Sequence, residues 1–218
     1  MTLASDIWAA LPVKEFVTAK QRLSPLLTPA ERCSLAAIML EDVLAALAEA
    51  NLAGILVNTL DPLATDLANG YGARVIAEGA RSGHTGAVAA LARSLSRDGR
   101  AGMLVLPGDI PRITAVEINT LIAARRAAPS FTIAPAHDKL GSNGVLCMPP
   151  EVIPLRFGDN SYFPHLDTAR AHAIEPTVVP LSGFALDIDR PDDLRALLRA
   201  EPSMSTRTQR FLHRLGLS

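Results

Sequence analysis

The chain has 218 residues, of which 49% are hydrophobic, and its formal net charge at pH 7 is -1. This length and composition predict one globular domain with a sizeable core and exclude a disordered chain. The near-neutral charge argues against a broad nucleic-acid-binding surface, because such a surface needs an excess of Lys and Arg to neutralise phosphates.

The sequence also predicts a cytoplasmic protein with no membrane segment. Cys33 and Cys147 lie in apolar stretches without metal-binding spacing, so both are expected to be reduced core thiols. From Met1 to Lys14 there is no basic start followed by an apolar stretch of signal-peptide length. Nowhere do about 18 uninterrupted apolar residues occur, as a membrane-spanning helix requires.

Short apolar or β-branched runs alternate along the chain with longer segments of helical period. This alternation predicts βα units, and hence a single-domain α/β fold with a mainly parallel, twisted sheet flanked by helices. Residues 1–200 are expected to form this domain and residues 201–218 a C-terminal tail. The predicted strands are Ala9–Val13, Gly54–Asn58, Arg74–Ala77, Met103–Leu106, Phe131–Ala134, Gly144–Met148, Thr177–Val179 and Phe184–Ile188.

Capping residues mark the start of several helices. Thr28–Glu31 combines an N-cap hydroxyl, proline at the first helical position and glutamate at the third, which predicts a helix ending near Ala50. Thr114–Glu117 repeats the capping box before a helix that is expected to end near Ala127. Asp61–Gly70 has an N-cap acid at its start and predicts a shorter helix.

The predicted tail carries Arg207, Arg210 and Arg214 among apolar residues. A basic amphipathic helix of this kind can bind a membrane surface or a partner. The pattern favours the simpler alternative, a terminal helix that is solvated or packs against another protomer.

Three cations follow the first predicted strand. In open α/β sheets ligands bind outside the carboxyl ends of the strands, so loops at these ends are candidate sites. Lys14, Lys20 and Arg22 could clamp a polyphosphate there and offset the charge that develops in phosphoryl transfer. Spacing alone leaves open that they are solvated surface residues, and the Walker sequence GxxxxGK[ST] is absent from the chain.

Acidic residues follow two later predicted strands. Asp109 comes after Met103–Leu106, at a strand end where a carboxylate can hold Mg²⁺. In a strand over Phe184–Ile188 the alternation would place Asp187 and Asp189 on one face, where two carboxylates need a counter-charge. The three acids together would form a magnesium site; the alternative is that they only stabilise turns.

Two further segments are rich in glycine and small polar residues, which let backbone N–H groups approach an anion. They are Lys139–Gly144 and Phe157–Ser161, and either could be no more than a turn. The histidines show no metal-ligand spacing, and most of them are expected on loops or helix surfaces. The four histidines that precede the predicted tail are His84, His137, His165 and His172.

From about Trp8 to Leu198, the segments LPVK, KQRLSPLLTPAER, LPGDIP, GSNGVL, FGDNSYFPH and LDIDRPDDL occur in a characteristic order and spacing. In these segments the chain resembles the 2-phospho-L-lactate and phosphoenolpyruvate guanylyltransferases of coenzyme F420 biosynthesis. That family has a molybdopterin-guanylyltransferase-like, nucleotide-diphospho-sugar-transferase-like fold of Rossmann type. The resemblance implies transfer of GMP from GTP to a small phosphorylated carboxylic acid. A homodimer is possible, but the sequence does not determine the oligomeric state.

The resemblance also implies roles for individual residues. The expected Mg²⁺ ligands are Asp109, Asp187 and Asp189. The expected catalytic cations are Lys14, Lys20 and Arg22. The expected nucleotide-binding residues are Leu11, Pro12, Lys14, Pro107 and Gly108, and the expected acceptor-binding residues are Ser142, Asn143, Gly158 and Ser161.

Some positions depart from the family's pattern. Gly83-His84-Thr85 stands where the family usually has Gly-Leu-Asn, and that Asn is expected near the base or ribose, so the guanine preference is the least secure implication. Arg190 replaces a Thr before Pro191, and loss of this N-cap hydroxyl is expected to cost about 1 kcal/mol. A molybdenum-cofactor nucleotidyltransferase is disfavoured, because its usual Leu-x-Gly-Gly loop is replaced by Leu11–Lys14. A non-catalytic nucleotide-binding protein is disfavoured because all three acids are present.

Overall fold

The apolar runs of the sequence form the strands of one sheet in a computed structural model that describes residues 6–158, 160–200 and 206–217. The strands are β1 (Ile7–Pro12), β2 (Gly54–Asn58), β3 (Arg74–Ile76), β4 (Gly102–Val105), β5 (Ser130–Pro135), β6 (Ser142–Met148) and β7 (Thr177–Val178). Their order in the sheet is β3-β2-β1-β4-β6-β5-β7. Most neighbouring strands are parallel, which confirms the predicted α/β class.

The direction of β6 determines which residues meet at one edge of the sheet. β1 pairs in parallel with β2 and β4, whereas β6 runs antiparallel to both β4 and β5. Because Val105 at the end of β4 pairs with Val145 near the start of β6, Ser142 and Asn143 lie at the edge where β1 and β4 end. The sequence did not indicate this antiparallel strand.

Helices cover both faces of the sheet. They are α1 (Pro29–Glu49), α2 (Pro62–Gly70), α3 (Gly83–Arg97), α4 (Ala115–Ala123), α5 (Tyr162–Ala171), α6 (Ser182–Ala185), α7 (Pro191–Arg199) and α8 (Arg207–Arg214), with 3₁₀ turns at Phe16–Thr18 and Gln21–Leu23. Alternation along β1 separates the two faces: Ile7, Ala9 and Leu11 pack with α1, α2 and α4, whereas Ala10 packs with α3 and α5.

The predicted helix starts are confirmed, and one predicted end is wrong. Thr28 and Glu31 form the reciprocal capping box of α1, and Asp61 accepts a hydrogen bond from the backbone of the first turn of α2. α4 begins after Thr114 as predicted but ends at Ala123, four residues before the predicted end. The chain must then reach the start of β5, and a residue that precedes proline, here Ala128, disfavours helical backbone.

The predicted strand Phe184–Ile188 is absent from the described residues, where α6 is followed by an irregular segment. Its alternating apolar residues serve two different clusters. Phe184 packs over Gly144 in the cluster beneath the sheet, whereas Ile188 packs with Leu23 and residues of α1, α7 and α8. The period of two therefore reflects a segment that lies between two cores, not a strand.

The C-terminal helix α8 packs against α1 of the same chain. Asp42 of α1 is buried and accepts hydrogen bonds from the backbone N–H groups of Arg207 and Thr208 at 3.1 and 2.9 Å. Leu212 is fully buried between α1 and α7. Residues 201–205, where the predicted tail begins, lie outside the described residues. None of the described helices is long and apolar enough to cross a membrane.

Candidate functional site

Two adjoining cavities among the described residues lie at the edge where β1 and β4 end and β6 begins. The first has a volume of about 240 Å³ and the second about 350 Å³. They have a common wall of shared lining residues, which are Lys14, His84, Pro107, Asp109 and Asp189. Two ligands bound side by side would therefore meet at a wall that carries one lysine and two carboxylates.

The first cavity collects most of the residues expected to bind the nucleotide. Pro12, Lys14, Pro107 and Gly108 line it, together with Lys20. Leu11 is placed differently from the other four: its side chain is fully buried in the core and lines neither cavity. The reason is the alternation along β1, which directs Leu11 into the layer beneath α1.

Lys20 is the centre of charge in this site. Its backbone is in the left-handed region, and its ammonium forms an ion pair with Asp109 and lies 3.7 Å from Asp189 Oδ1. The side chain is only 9% exposed. Burial alone would lower the pKa of Lys20, but the charge of Asp109 and its hydrogen bond, with the charges of Asp189 and Asp187, outweigh burial and raise it. Lys20 is therefore a permanent cation among the acids.

Arg22 lies at the rim of the same cluster. Its Nη1 atom is 2.6 Å from Asp189 Oδ2, and its side chain is 58% exposed. Arg22 lines neither cavity. From this position Arg22 can orient Asp189 or attract an incoming polyphosphate. It is less well placed to contact a polyphosphate that is already bound.

Asp187 is the carboxylate with the least favourable surroundings. Asn143 Nδ2 donates a hydrogen bond to its Oδ1 atom at 3.0 Å, and Asp187 lines the second cavity. Burial raises the pKa of Asp187, and the nearby charge of Asp109 raises it further. The folded protein therefore holds an ionised Asp187 at a cost in stability.

Asp187→Asn is expected to raise the melting temperature at neutral pH in metal-free buffer. Because the folded-state pKa of Asp187 lies above the unfolded value, ionisation as pH rises through that pKa removes stability, and Asn does not ionise. The gain over wild type should shrink as pH falls to the ordinary carboxyl value of 3.8. Thermal unfolding at several pH values measures this, with the exposed Asp192→Asn as control; a lower melting temperature at neutral pH would contradict it.

The three acids suit a hard divalent cation, because part of their negative charge has no partner in the protein. Within the described residues, Asp109 Oδ1 is buried without a hydrogen-bond partner, and Asp187 is desolvated beside it. In those same ranges no group of His, Cys, Asp or Glu side chains is arranged to hold a metal by itself, and the Lys20 ammonium lies between Asp109 and Asp189. Mg²⁺ commonly binds through one or two carboxylates plus substrate phosphates and water, so this donor set suits it.

Glu117 anchors the segment that carries Asp187 and Asp189. Its Oε1 atom accepts hydrogen bonds from the Gly183 backbone N–H at 2.7 Å and from the Ser182 hydroxyl at 3.1 Å. Glycine is required at position 183, because a Cβ there would lie 2.7 Å from the backbone oxygen of Arg112. Glu117, whose backbone N–H donates to the N-cap Thr114 of α4, thus also fixes the loop of the site.

Glu117→Ala is expected to lower the free energy of unfolding by about 2 kcal/mol, because the buried Gly183 N–H loses its acceptor. It should also lower kcat/KM roughly tenfold, because the acids following α6 lose their fixed position. Denaturant titration and steady-state kinetics measure the two effects. Glu117→Gln keeps an acceptor for Gly183 and should recover most of both, whereas full activity in Glu117→Ala would refute the anchoring role.

Asp189 is held by its own backbone contacts. Asp193 Oδ2 accepts hydrogen bonds from the backbone N–H groups of Asp189 at 2.9 Å and Arg190 at 2.6 Å. The Asp193 carboxylate thus supplies the N3 half of a capping box, the half that does not depend on the N-cap hydroxyl missing at Arg190. The Ile188 N–H also donates to the Asp109 backbone oxygen at 3.0 Å, which ties the two acidic loops together.

The second cavity brings together all residues that the resemblance assigns to the acceptor. Ser142 and Asn143 come from the start of β6, and Gly158 and Ser161 come from the loop before α5. Gly158 has φ of +150°, a backbone conformation that favours glycine. Asp159 of the same segment lies outside the described residues. The antiparallel direction of β6 is what places these two segments side by side.

The departures at His84 and Thr85 lie in the site. His84 lines both cavities, and its ring packs edge-on against Phe157 with centroids 4.8 Å apart. Burial lowers the pKa of His84, and the charge of Lys14 lowers it further. Thr85 Oγ1 both donates to the Phe157 backbone oxygen and accepts from the Phe157 N–H, at 3.2 and 3.1 Å. This threonine therefore holds the acceptor loop.

The histidine predictions hold for the exposed His137 and His172 but not for His165, which is 1% exposed. His165 lies on the inner face of α5, and its Nδ1 atom is 3.0 Å from Ser142 Oγ in the second cavity. A signal was available in the sequence: His165 is followed at helical spacing by Leu166 and Ala169, which are buried on the same face.

Comparison with known proteins shows the family of the chain. The family model described as "Guanylyl transferase CofC like" matches residues 7–218. A phosphoenolpyruvate guanylyltransferase of Rubrobacter xylanophilus is 33% identical over 94% of this chain and 99% of its own. A 3-phospho-D-glycerate guanylyltransferase of Colwellia psychrerythraea is 35% identical over 86% and 89%, and a 2-phospho-L-lactate guanylyltransferase of Methanothermobacter thermautotrophicus is 32% identical over 87% and 83%.

Solved structures show the same fold at low identity. A protein described as a nucleotide-diphospho-sugar transferase, from Desulfovibrio desulfuricans G20, superposes with a TM-score of 0.77 at 18% identity, covering 97% of this chain and 96% of its own. A nucleotidyl transferase of Methanothermobacter gives a TM-score of 0.68 at 12% identity, covering 95% and 98%. With the family match over nearly the whole chain, and with relatives above 30% identity, the chain belongs to the CofC-like guanylyl transferase family and is a nucleotidyltransferase enzyme.

Proposed function

We propose that the enzyme transfers GMP from GTP to a three-carbon phospho-acid and releases pyrophosphate. The acceptor would be phosphoenolpyruvate, 2-phospho-L-lactate or 3-phosphoglycerate, the substrates for which its relatives are named. The observation that supports this most is the pair of cavities with a common wall. A nucleotide in the first cavity and a phospho-acid in the second would meet beside Lys14, Asp109 and Asp189.

The proposed reaction needs no general base. The acceptor's phosphate is already anionic at neutral pH, so one of its oxygens can attack the α-phosphorus of GTP directly. The new bond joins that oxygen to the α-phosphorus, and the bond from the α-phosphorus to the oxygen bridging to the β-phosphorus breaks. The electron pair leaves with pyrophosphate. The protein then has to align two anions and neutralise their charge.

The cations of the site divide this task by position. Lys14 lines both cavities and can contact the acceptor phosphate and the α-phosphate together. Lys20 lines the first cavity, where it can reach the phosphates of the nucleotide. Asp109, with Asp187 or Asp189, would hold Mg²⁺, which when bound offsets the charge on the transferred and leaving phosphates. Arg22 would steer the triphosphate from the rim.

The second cavity suits a small anion with more than one oxygen-rich group. The hydroxyl of Ser142 supplies a polar contact, Asn143 and Ser161 line the same cavity, and Gly158 allows backbone approach. The relatives named for the three acceptors have similar identities to this chain, so identity does not rank the acceptors. The product would be a diphosphate-linked guanosine of the kind implied for coenzyme F420 biosynthesis.

A pyrophosphate-release screen tests the proposal. Purified protein with Mg²⁺ is combined with each of the four ribonucleoside triphosphates and each of the three acceptors. Release is expected with GTP and at least one acceptor, and not when the acceptor is omitted. Absence of release in every combination, with protein shown to be folded by circular dichroism, would overturn the proposed function. Equal rates with ATP would overturn the guanine preference. This comparison matters because His84 and Thr85 depart from the family's pattern near the expected base or ribose.

We also propose that the enzyme acts in the cytoplasm. Both cysteines, Cys33 and Cys147, are free thiols in the described part of the chain. Burial raises the pKa of the Cys147 thiol to about 12, so it is an inert core residue. Unpaired cysteines are usual in a reducing compartment.

A further inference from the structure

A buried histidine contacts a residue that lines the second cavity, and the proposed reaction assigns it no role. His165 is 1% exposed and packs against Phe157, with ring centroids 5.0 Å apart, and against Phe131. Burial lowers the pKa of His165 to about 4, so the imidazole is neutral in the folded protein at neutral pH. A neutral imidazole carries a single N–H, and its neighbours determine which nitrogen has it.

The contacts of the ring assign this proton. The Arg156 backbone N–H donates to His165 Nε2 at 3.2 Å, so Nε2 is the acceptor nitrogen. The proton therefore lies on Nδ1, which donates to Ser142 Oγ at 3.0 Å. The Ser161 hydroxyl also donates to Ser142 Oγ, at 3.2 Å. Two donors thus fill both acceptor positions of the Ser142 hydroxyl.

The consequence concerns the remaining proton of Ser142. With both lone pairs of Oγ occupied, Ser142 can act only as a hydrogen-bond donor, and its side chain lines the second cavity. A serine hydroxyl has one O–H donor and two acceptor lone pairs, so it can otherwise rotate to donate or to accept. The arrangement favours a ligand atom that is purely an acceptor, such as a phosphate or carboxylate oxygen.

We infer that His165 is a positioning residue that fixes the Ser142 hydroxyl as a donor to the anionic group of the acceptor. The inference rests on the proposed function for its ligand, a small phospho-acid in the second cavity. The order of hydrogen bonds, from the Arg156 N–H to His165 and from His165 to Ser142, is independent of that function. His165 touches no substrate in this arrangement and acts only through Ser142.

Paired substitutions separate this role from packing. In His165→Asn the side-chain amide nitrogen lies the same number of bonds from Cβ as Nδ1 and can still donate to Ser142. In His165→Gln the amide oxygen lies where Nε2 was and can still accept from the Arg156 N–H, but the donor to Ser142 is lost. Each variant removes one buried hydrogen bond, so their losses of thermal stability should be similar.

The expected kinetic result is a split between the two substrates. His165→Gln should raise the acceptor KM about tenfold and leave the GTP KM and kcat within about twofold, because one hydrogen bond to an anion is weakened. His165→Asn should keep the acceptor KM within about threefold of wild type. Equal acceptor KM values in the two variants would overturn the inference, because packing loss alone would affect both alike.

A spectroscopic readout keeps this inference distinct from the proposed function. The long-range ¹H–¹⁵N spectrum of wild-type imidazoles, with the His165 signals assigned by their loss in His165→Asn, should show protonation at Nδ1 and an unprotonated Nε2. Protonation at Nε2 would overturn the hydrogen-bond order whether or not any acceptor is turned over. Failure of the pyrophosphate screen with a Nδ1-protonated His165 would instead overturn the proposed function and leave the hydrogen-bond order in place.

Discussion

Asp109→Asn is expected to lower kcat/KM by roughly 10³-fold while the protein stays folded. Asp109 lines both cavities, pairs with Lys20, and presents a buried Oδ1 atom that has no protein partner among the described residues. Asparagine keeps the shape and a partner for Lys20 but removes the negative charge that a divalent cation needs. Pyrophosphate release at saturating Mg²⁺ measures the loss, and circular dichroism checks the fold.

A matched acid at the other end of the sheet supplies the control. Asp98 pairs with Arg74 at 2.6 Å, at the end of α3 and the start of β3, away from the cavities. Asp98→Asn removes the same charge and a surface ion pair, and is expected to change kcat/KM by less than about twofold. Activity in Asp109→Asn equal to that of Asp98→Asn would exclude Asp109 from the site.

Much of the fold could be predicted because local physics decided it. The bounds of β2 and the caps of α1 and α2 follow from β-branched runs, hydroxyl or acidic N-caps and prolines at the first helical position. Asp109 could be placed at a ligand-binding edge because a buried strand ends four residues before it. These features depend on a few neighbouring residues, so the sequence carries them explicitly.

The features that failed depend on distant partners. The segment Phe184–Ile188 has the period of a strand, but Phe184 and Ile188 belong to different cores, which no local pattern reveals. Lys20 and Asp109 are 89 residues apart, and their contact arises from how two loops meet at one sheet edge. The partnership of His165 with Ser142 likewise requires the antiparallel direction of β6. Contacts between distant residues thus determine the electrostatics of the site. The family resemblance could identify the residues of the site but not these contacts.

The substitution Lys20→Met tests that electrostatic arrangement. Methionine fills similar volume but leaves Asp109, Asp187 and Asp189 without their central counter-charge, and Lys20 is only 9% exposed. Removing one partner of a buried ion pair is expected to lower the free energy of unfolding by about 3 kcal/mol in metal-free buffer. It should also lower kcat by about 10²-fold, because a charge near the nucleotide phosphates is lost.

Comparison with Arg22→Met shows whether burial gives Lys20 its importance. Arg22 pairs with the same Asp189, but it is 58% exposed, so its loss is expected to change the free energy of unfolding by less than about 1 kcal/mol. The two variants alter the same acidic cluster, and denaturant titrations of both in chelator-treated buffer measure the difference. Equal effects would contradict the assignment of Lys20 as the buried counter-charge.

Added Mg²⁺ gives the arrangement its most specific test. If the three carboxylates form the metal site, Mg²⁺ should take the place of the missing ammonium in Lys20→Met and restore part of its stability. The rise in melting temperature with Mg²⁺ should therefore be larger in Lys20→Met than in wild type, where Lys20 already neutralises Asp109 and Asp189. The added substitution Asp109→Asn should remove this extra rise, because it takes away the carboxylate that the cation and the lysine share. An equal rise in all three proteins would place the magnesium-binding residues elsewhere in the chain.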